Sequence, residues 1–139
     1  MNAKIHELMT KSVVTTQPHV SVAHARAMLE RNKIQALPVV DTDGKPVGIV
    51  SVADLIGDHA DGSPIKTIMT EKVYTVPQYD EVSVAARIMR NQRIHHVVVT
   101  HEQKVVGMIS SFDLLKLVED HRFVMKNPPT RKKRGIQPA

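Results

Sequence analysis

Two short segments of this chain place chemistry-bearing residues at the same spacing. Gly48-Ile49-Val50-Ser51-Val52-Ala53-Asp54-Leu55 and Gly107-Met108-Ile109-Ser110-Ser111-Phe112-Asp113-Leu114 share a Gly, two apolar residues, a Ser, two further residues, an Asp and a Leu. The pattern reads as a buried strand that ends at the Ser, where a helix begins. A helix start offers unpaired backbone N–H groups and the positive end of a dipole, which suit an anion such as phosphate. Ser51 and Ser110 add a hydroxyl there. Asp54 and Asp113 fall in the first helical turn, where a carboxylate can accept two hydrogen bonds from a vicinal diol, as acidic residues do in dinucleotide sites. Phosphate donors beside a diol acceptor make a nucleotide pattern. The same Ser-x-x-Asp spacing also resembles a capping box. A protein that binds nothing would keep it for helix stability, and on spacing alone that reading is the stronger.

The elements that position these segments are themselves repeated. At an offset of 60 residues, and of 59 after a turn one residue shorter, 15 identities relate residues 5–55 to 65–114. Self-similarity on this scale marks two copies of one supersecondary unit. Two copies are too few for a solenoid, so they should pack as a pseudo-twofold pair, with each site on one copy matched on the other. The expected divisions are repeat one over 1–57, a polar linker over 58–64, repeat two over 65–126 and a basic disordered tail over 127–139.

Each copy reads as β-α-β-β-α, an α/β (α+β) fold class. A helical turn (Ile5–Thr10, Ile65–Thr70) precedes a β-branched strand (Val13–Thr16, Val73–Val76). An amphipathic helix follows, with Val22, Ala25, Met28 and Leu29 answered by Val82, Ala85, Ile88 and Met89 at helical period. Ser21 is the expected N-cap of the first, Asp80 or Ser83 of the second. Hairpins pair Ala36–Val40 with Pro46–Val50 and His96–Thr100 with Val105–Ile109. The first turn, Asp41-Thr42-Asp43-Gly44, has a Gly for positive φ; the second, His101-Glu102-Gln103-Lys104, has none, so its type must differ. Each copy closes with a helix starting near Ser51 or Ser110, the last running as far as Met125 before Asn127-Pro128-Pro129 stops it.

In this order and spacing, Ile-x-x-x-Met-Thr, the Ala-containing helix, Ile34-Gln35-Ala36-Leu37-Pro38-Val39-Val40-Asp41 and Gly-h-h-Ser-x-x-Asp-Leu closely resemble a tandem cystathionine-β-synthase (CBS) domain pair, or Bateman module, over about residues 5–120. Copy two departs at Val98 and His101, where copy one has Pro38 and Asp41. The resemblance implies a regulatory sensor of adenosine-containing ligands (AMP, ADP, ATP or S-adenosylmethionine) in two clefts between the repeats, with the Asp of one repeat on the ribose. Carried over, one cleft joins Ser110 and Asp113 to Thr10, Lys11, Ile34, Gln35 and Ala36. The other joins Ser51 and Asp54 to Thr70, Glu71, Lys72, Ile94, His95 and His96. The family also implies a homodimer and, in a chain with no catalytic or transport segment, an unidentified effector protein and a role in energy sensing. The alternative is a ligand-free interaction scaffold.

The remaining residues exclude more than they add. A chain of 139 residues, 42% apolar and 24% charged, suits one globular core. It has no Cys, and no apolar run approaches the roughly 20 residues that span a bilayer. With no signal-like N-terminus, a soluble cytoplasmic protein is the expectation. The net charge of +5 is concentrated: residues 1–126 hold 15 Lys and Arg against 14 Asp and Glu, and the rest is Arg131-Lys132-Lys133-Arg134. Four charges support only weak, salt-sensitive contact with nucleic acid, so the tail reads as solubilising. His95 and His96 are adjacent on a strand and point to opposite faces. They cannot share a metal, and one of them should face a cleft. The other His residues show no ligand spacing, the Met residues fit core filling, and no catalytic triad, zinc motif or P-loop is present.

Overall fold

The computed structural model describes residues 3–120. Its element order is α1 (Ile5–Leu8), β1 (Thr10–Lys11), α2 (Val22–Asn32), β2 (Ala36–Val40), β3 (Pro46–Ser51), two 3₁₀ turns (Val52–Leu55, Ile65–Thr67), β4 (Thr75–Pro77), α3 (Val82–Gln92), β5 (His96–His101), β6 (Lys104–Ser110) and α4 (Ser111–Asp120). One sheet has the order β1-β6-β5-β4; β2 and β3 form a second. The α/β fold of two related repeats is as the sequence predicts.

Two cores form, and each copy sends its first turn into the core of the other. Ile5 packs with Val76, Val82, Ala85 and Val97, all of copy two. Ile65 packs with Val22, Ala25, Leu37 and Val50, all of copy one. The exchange also satisfies helix ends: the N–H of Val82 donates to Ala3 O at 3.0 Å, and that of Val22 to Ser63 O at 2.8 Å. β1 accordingly pairs antiparallel with β6, Thr10 opposite Met108, while Thr70 makes the matching bridge to Ile49. These crossings need close approach. A Cβ on Gly48 would stand 2.6 Å from Met69 Sδ, and one on Gly107 would stand 2.6 Å from Met9 Sδ and 2.7 Å from Thr10 O.

The amphipathic helices bury the predicted stripes, Val22, Ala25 and Leu29 on α2 and Val82, Ala85 and Met89 on α3. Ser21 caps α2, its Oγ accepting from the N–H of His24 at 3.1 Å. Neither Asp80 nor Ser83 caps α3: Glu81 holds that position without a side-chain bond, and Asp80 Oδ1 accepts from the N–H of Glu81 instead. The second hairpin turns on Glu102 (φ 51°) and Gln103 (φ 70°). Two central residues at positive φ give the primed turn that suits strand twist.

Three further expectations need correction. Val13–Thr16 forms no strand, only a parallel bridge from Thr16 to Val39. In copy two the N–H of Gln78 donates to Thr100 O at 3.0 Å; its counterpart, Pro18, has no N–H to give. The copy-two strand lies at Thr75–Pro77 rather than Val73–Val76. The closing element of copy one is a single 3₁₀ turn: the chain becomes extended at Ile56 (φ −76°, ψ 133°) and left-handed at Gly57 (φ 113°), where copy two carries Leu115 and Lys116 within α4. The expected run to Met125 and the basic tail lie outside the described residues.

Candidate functional site

Two clefts lie between the copies. Each has one Ser–Asp pair at its edge and the first strand of both hairpins in its wall.

The cleft of Asp113 encloses about 530 Å³ and is bordered by Ser110, Thr10, Ile34, Gln35 and Ala36 among the predicted residues. β6 delivers Ser110, and α4 starts at once, so Asp113 falls in its first turn. The N–H of Ser110 donates to Asp113 Oδ2 at 2.9 Å, and the N–H of Asp113 donates to Ser110 Oγ at 3.1 Å. This is the capping box. It engages one carboxylate oxygen and leaves Oδ1 without a protein donor among the described residues. Ile34-Gln35-Ala36 reaches the cleft because α2 ends on Lys33 in the left-handed region (φ 54°), where the chain reverses into β2.

The cleft of Asp54 encloses about 480 Å³ and is bordered by Ser51, Thr70, Lys72, Ile94, His95 and His96 among the predicted residues. Here both the N–H and the hydroxyl of Ser51 donate to Asp54 Oδ2, at 2.8 and 3.2 Å. A single 3₁₀ turn carries little of the macrodipole expected at a helix start, so anion binding at this end falls to side chains. Volumes of this size lie within the range of small-molecule sites.

The structure does not bring every predicted residue to a cleft. Among the described residues, Lys11 and Glu71 border neither. Lys11 follows Thr10 on β1, where successive side chains alternate faces, and Glu71 follows Thr70 at the matching place of copy two. His95 and His96 were expected to split, one toward a cleft. Instead both border both clefts, as Gln35 and Ala36 do. β5 starts only at His96, so strand alternation does not govern His95, whose Nδ1 lies 3.2 Å from Ser111 Oγ. Burial holds the His96 imidazole below its ordinary pKa, the neighbouring His95 adds to the effect, and Asp113 opposes it. No group of three His, Asp or Glu among the described residues is placed to hold a metal ion.

Other wall residues went unread in the sequence: Ser12, Val14, Lys33 and Phe112 in the Asp113 cleft, Tyr74, Val52 and Val98 in the Asp54 cleft. The repeat itself held a signal. Ser12 and Val14 flank one strand entrance where copy two has Lys72 and Tyr74.

The model of the CBS domain family matches twice, over residues 5–59 and 65–120. The chain belongs to the CBS domain family. Among solved structures, the CBS domain pair of protein MJ0100, in complex with 5′-methylthioadenosine and S-adenosyl-L-methionine, is similar with a TM-score of 0.78 at 28% identity, covering 86% of this chain and 98% of that one. An uncharacterized conserved protein from Pyrococcus horikoshii gives a TM-score of 0.76 at 28% identity, covering 90% and 98%. Among curated relatives, uncharacterized protein MJ1404 of Methanocaldococcus jannaschii is 28% identical over 86% of this chain, which spans only 32% of that protein. The inosine-5′-monophosphate dehydrogenase of the same organism is 31% identical over 81% of this chain, which spans 23% of it. The likeness to these longer proteins is therefore a likeness to part of each. No helix among the described residues is long and apolar enough to cross a membrane.

Proposed function

We propose that this CBS pair is a regulatory module that binds adenosine-containing ligands in its two clefts. One observation carries the reading: Asp113 caps α4 with one carboxylate oxygen and keeps the other free at a cleft edge, and Asp54 repeats the arrangement in the second cleft. A free carboxylate oxygen beside a hydroxyl and an apolar wall suits a ribose diol and a purine. The adenosine ligands of the similar MJ0100 pair support the same class. AMP, ADP, ATP and S-adenosylmethionine are the ligands to try. Because the exchanged segments tie the copies together, a ligand that favours one setting of the copies shifts the population toward it. The output passes to an effector protein or through a homodimer, for which α4 offers an apolar face in Phe112, Leu115 and Val118.

The test is a thermal-shift panel of AMP, ADP, ATP, GTP and S-adenosylmethionine at millimolar concentration. A ligand at a hundred times its Kd adds about 2.7 kcal/mol to the folded state. Stabilisation by an adenosine compound, reduced in Asp113→Ala or Asp54→Ala, supports the module. The capping bonds alone would also serve a scaffold that binds nothing. Its signature is a lower melting temperature in the Asp variants and no response to any ligand in the parent.

A further inference from the structure

The clefts share their Ser–Asp pair but differ at the opposite wall. In the Asp54 cleft, Tyr74 presents an aromatic ring and Lys72 holds its Nζ 5.5 Å from the ring centroid. The Tyr74 hydroxyl donates to Gln92 Oε1 at 2.9 Å, which ties the ring to the end of α3. In the Asp113 cleft the corresponding residues are Val14 and Ser12. The counterpart of Gln92 is Asn32, whose Nδ2 donates to Met28 O at 2.8 Å and anchors no ring. Three substitutions between the copies thus act together: ring, anchor and ammonium all belong to one cleft.

That set has a chemical meaning. A ring held by its hydroxyl is a pre-ordered platform for a flat base, and base–aromatic stacking is strong and tolerant of base identity. A lysine beside it is a point charge suited to phosphate. The single-turn 3₁₀ element after Ser51 supplies little dipole, so Lys72 is the cationic side chain that the described residues bring to this cleft. The Asp113 cleft has its own cation, Lys33, at the end of α2, but no ring on that wall; its aromatic, Phe112, is 79% exposed on α4.

We infer that the two clefts are not equivalent, and that Tyr74 and Lys72 make the Asp54 cleft the one that selects a phosphorylated purine nucleoside, the base on the Tyr74 ring and the phosphate at the Lys72 ammonium. The inference rests on the adenosine-ligand reading and adds to it the identity of the cleft and the residues that discriminate.

The experiment is calorimetric titration of the full chain with adenosine and with AMP. It uses the parent, Asp113→Ala and Asp54→Ala to separate the clefts, and Tyr74→Val, Tyr74→Phe and Lys72→Ser added to Asp113→Ala. Val and Ser are the residues copy one carries, and the melting temperature of each variant checks its fold. Tyr74→Val should weaken adenosine and AMP alike by about tenfold or more, and Tyr74→Phe much less. Lys72→Ser should weaken AMP far more than adenosine and so remove most of the preference for AMP over adenosine, with its salt dependence. AMP bound by the parent but retained at full strength in Asp54→Ala and lost in Asp113→Ala would assign it to the other cleft. That result overturns this inference while the adenosine-ligand reading stands, as would unchanged binding in Tyr74→Val and Lys72→Ser. No binding of either compound to the folded parent overturns this inference, and a parent that also ignores ADP, ATP and S-adenosylmethionine overturns the adenosine-ligand reading with it.

Discussion

Ser110 and Asp113 are joined by two reciprocal hydrogen bonds, at 2.9 and 3.1 Å, across the start of α4. The pair fixes where the strand stops and the helix starts, and it fixes the rotamer of the carboxylate. Capping and ligand binding are therefore compatible uses of one side chain, because they draw on different oxygens. Asp113→Ala should cost about 1 kcal/mol of stability, the usual worth of a cap, and should also weaken adenosine-ligand binding. Asp113→Asn, which can still accept from the Ser110 amide, should recover most of the stability. Denaturant unfolding with and without ligand reads both. A ligand response in Asp113→Ala equal to the parent's would remove the ribose role and leave only the cap.

Gly107 and Gly48 let the copies cross, and they should not be equally sensitive. A methyl on Gly48 meets only Met69, the far end of a flexible chain, whereas one on Gly107 meets Met9 and the carbonyl of Thr10. Backbone cannot step aside as a thioether can. Gly107→Ala should destabilise by about 1–3 kcal/mol, as overpacking does, and Gly48→Ala by clearly less. Equal losses in urea unfolding would mean that the β1–β6 pairing yields more easily than its geometry indicates.

Much of this was legible in the chain. The 15 identities between residues 5–55 and 65–114 gave the copy number, the helical stripes gave α2 and α3, and Ser-x-x-Asp marked the cleft edges. The exchange of Ile5 and Ile65 between cores was not legible, because each fits the apolar pattern of its own copy as well as the other's. Two prolines explain why copy one lacks a strand that copy two forms: Pro18 and Pro38 have no N–H to match those of Gln78 and Val98, which donate to Thr100 O and Tyr74 O. The short turn after Ser51 was not legible either, because residues 52–55 carry the same Ser-x-x-Asp-Leu start as α4, and the chain leaves it only at extended Ile56 and left-handed Gly57. Lys11 and Glu71 come from the family resemblance, and each follows the Thr that borders a cleft, Lys11 as the β1 partner of Gly107. His95 borders the Asp54 cleft as expected and the second cleft as well, because it precedes β5 and strand alternation does not yet govern it.

His96 links stability to pH. Burial, with the charge of His95, lowers its folded pKa below the ordinary 6.5, so between those two values the unfolded chain holds the extra proton. Stability then rises with pH through that window. Read downward, it is intact above about pH 6.5 and is lost as pH falls toward the lowered folded value. Melting temperatures from pH 7.5 to 5 should show this loss, and it should shrink in His96→Gln relative to the parent. The groups facing His96 are His95 and Asp113, so Asp113→Asn should deepen the fall by removing the charge that favours the imidazolium. Parallel pH profiles for the parent and His96→Gln would assign the dependence to other groups.

Leu115 tests how the module assembles. α4 carries two apolar faces: Leu114 and Leu117 pack against the copy-two core, while Phe112, Leu115 and Val118 stand 79%, 56% and 55% exposed. Spacings of three residues place the exposed set on one side of the helix. Ile56, 75% exposed, ends the equivalent turn of copy one. Apolar side chains in a row mark a surface for association more than scattered ones do, and a second copy of this chain can meet it with the same face. Sedimentation of the parent should report a dimer, with a melting temperature that rises with protein concentration. Leu115→Glu should give a monomer whose circular dichroism matches the parent's, since Leu115 is outside both cores. Phe112 is a poorer choice for this experiment because it also borders the Asp113 cleft. A parent that sediments as a monomer at every concentration would leave this face to an effector protein instead.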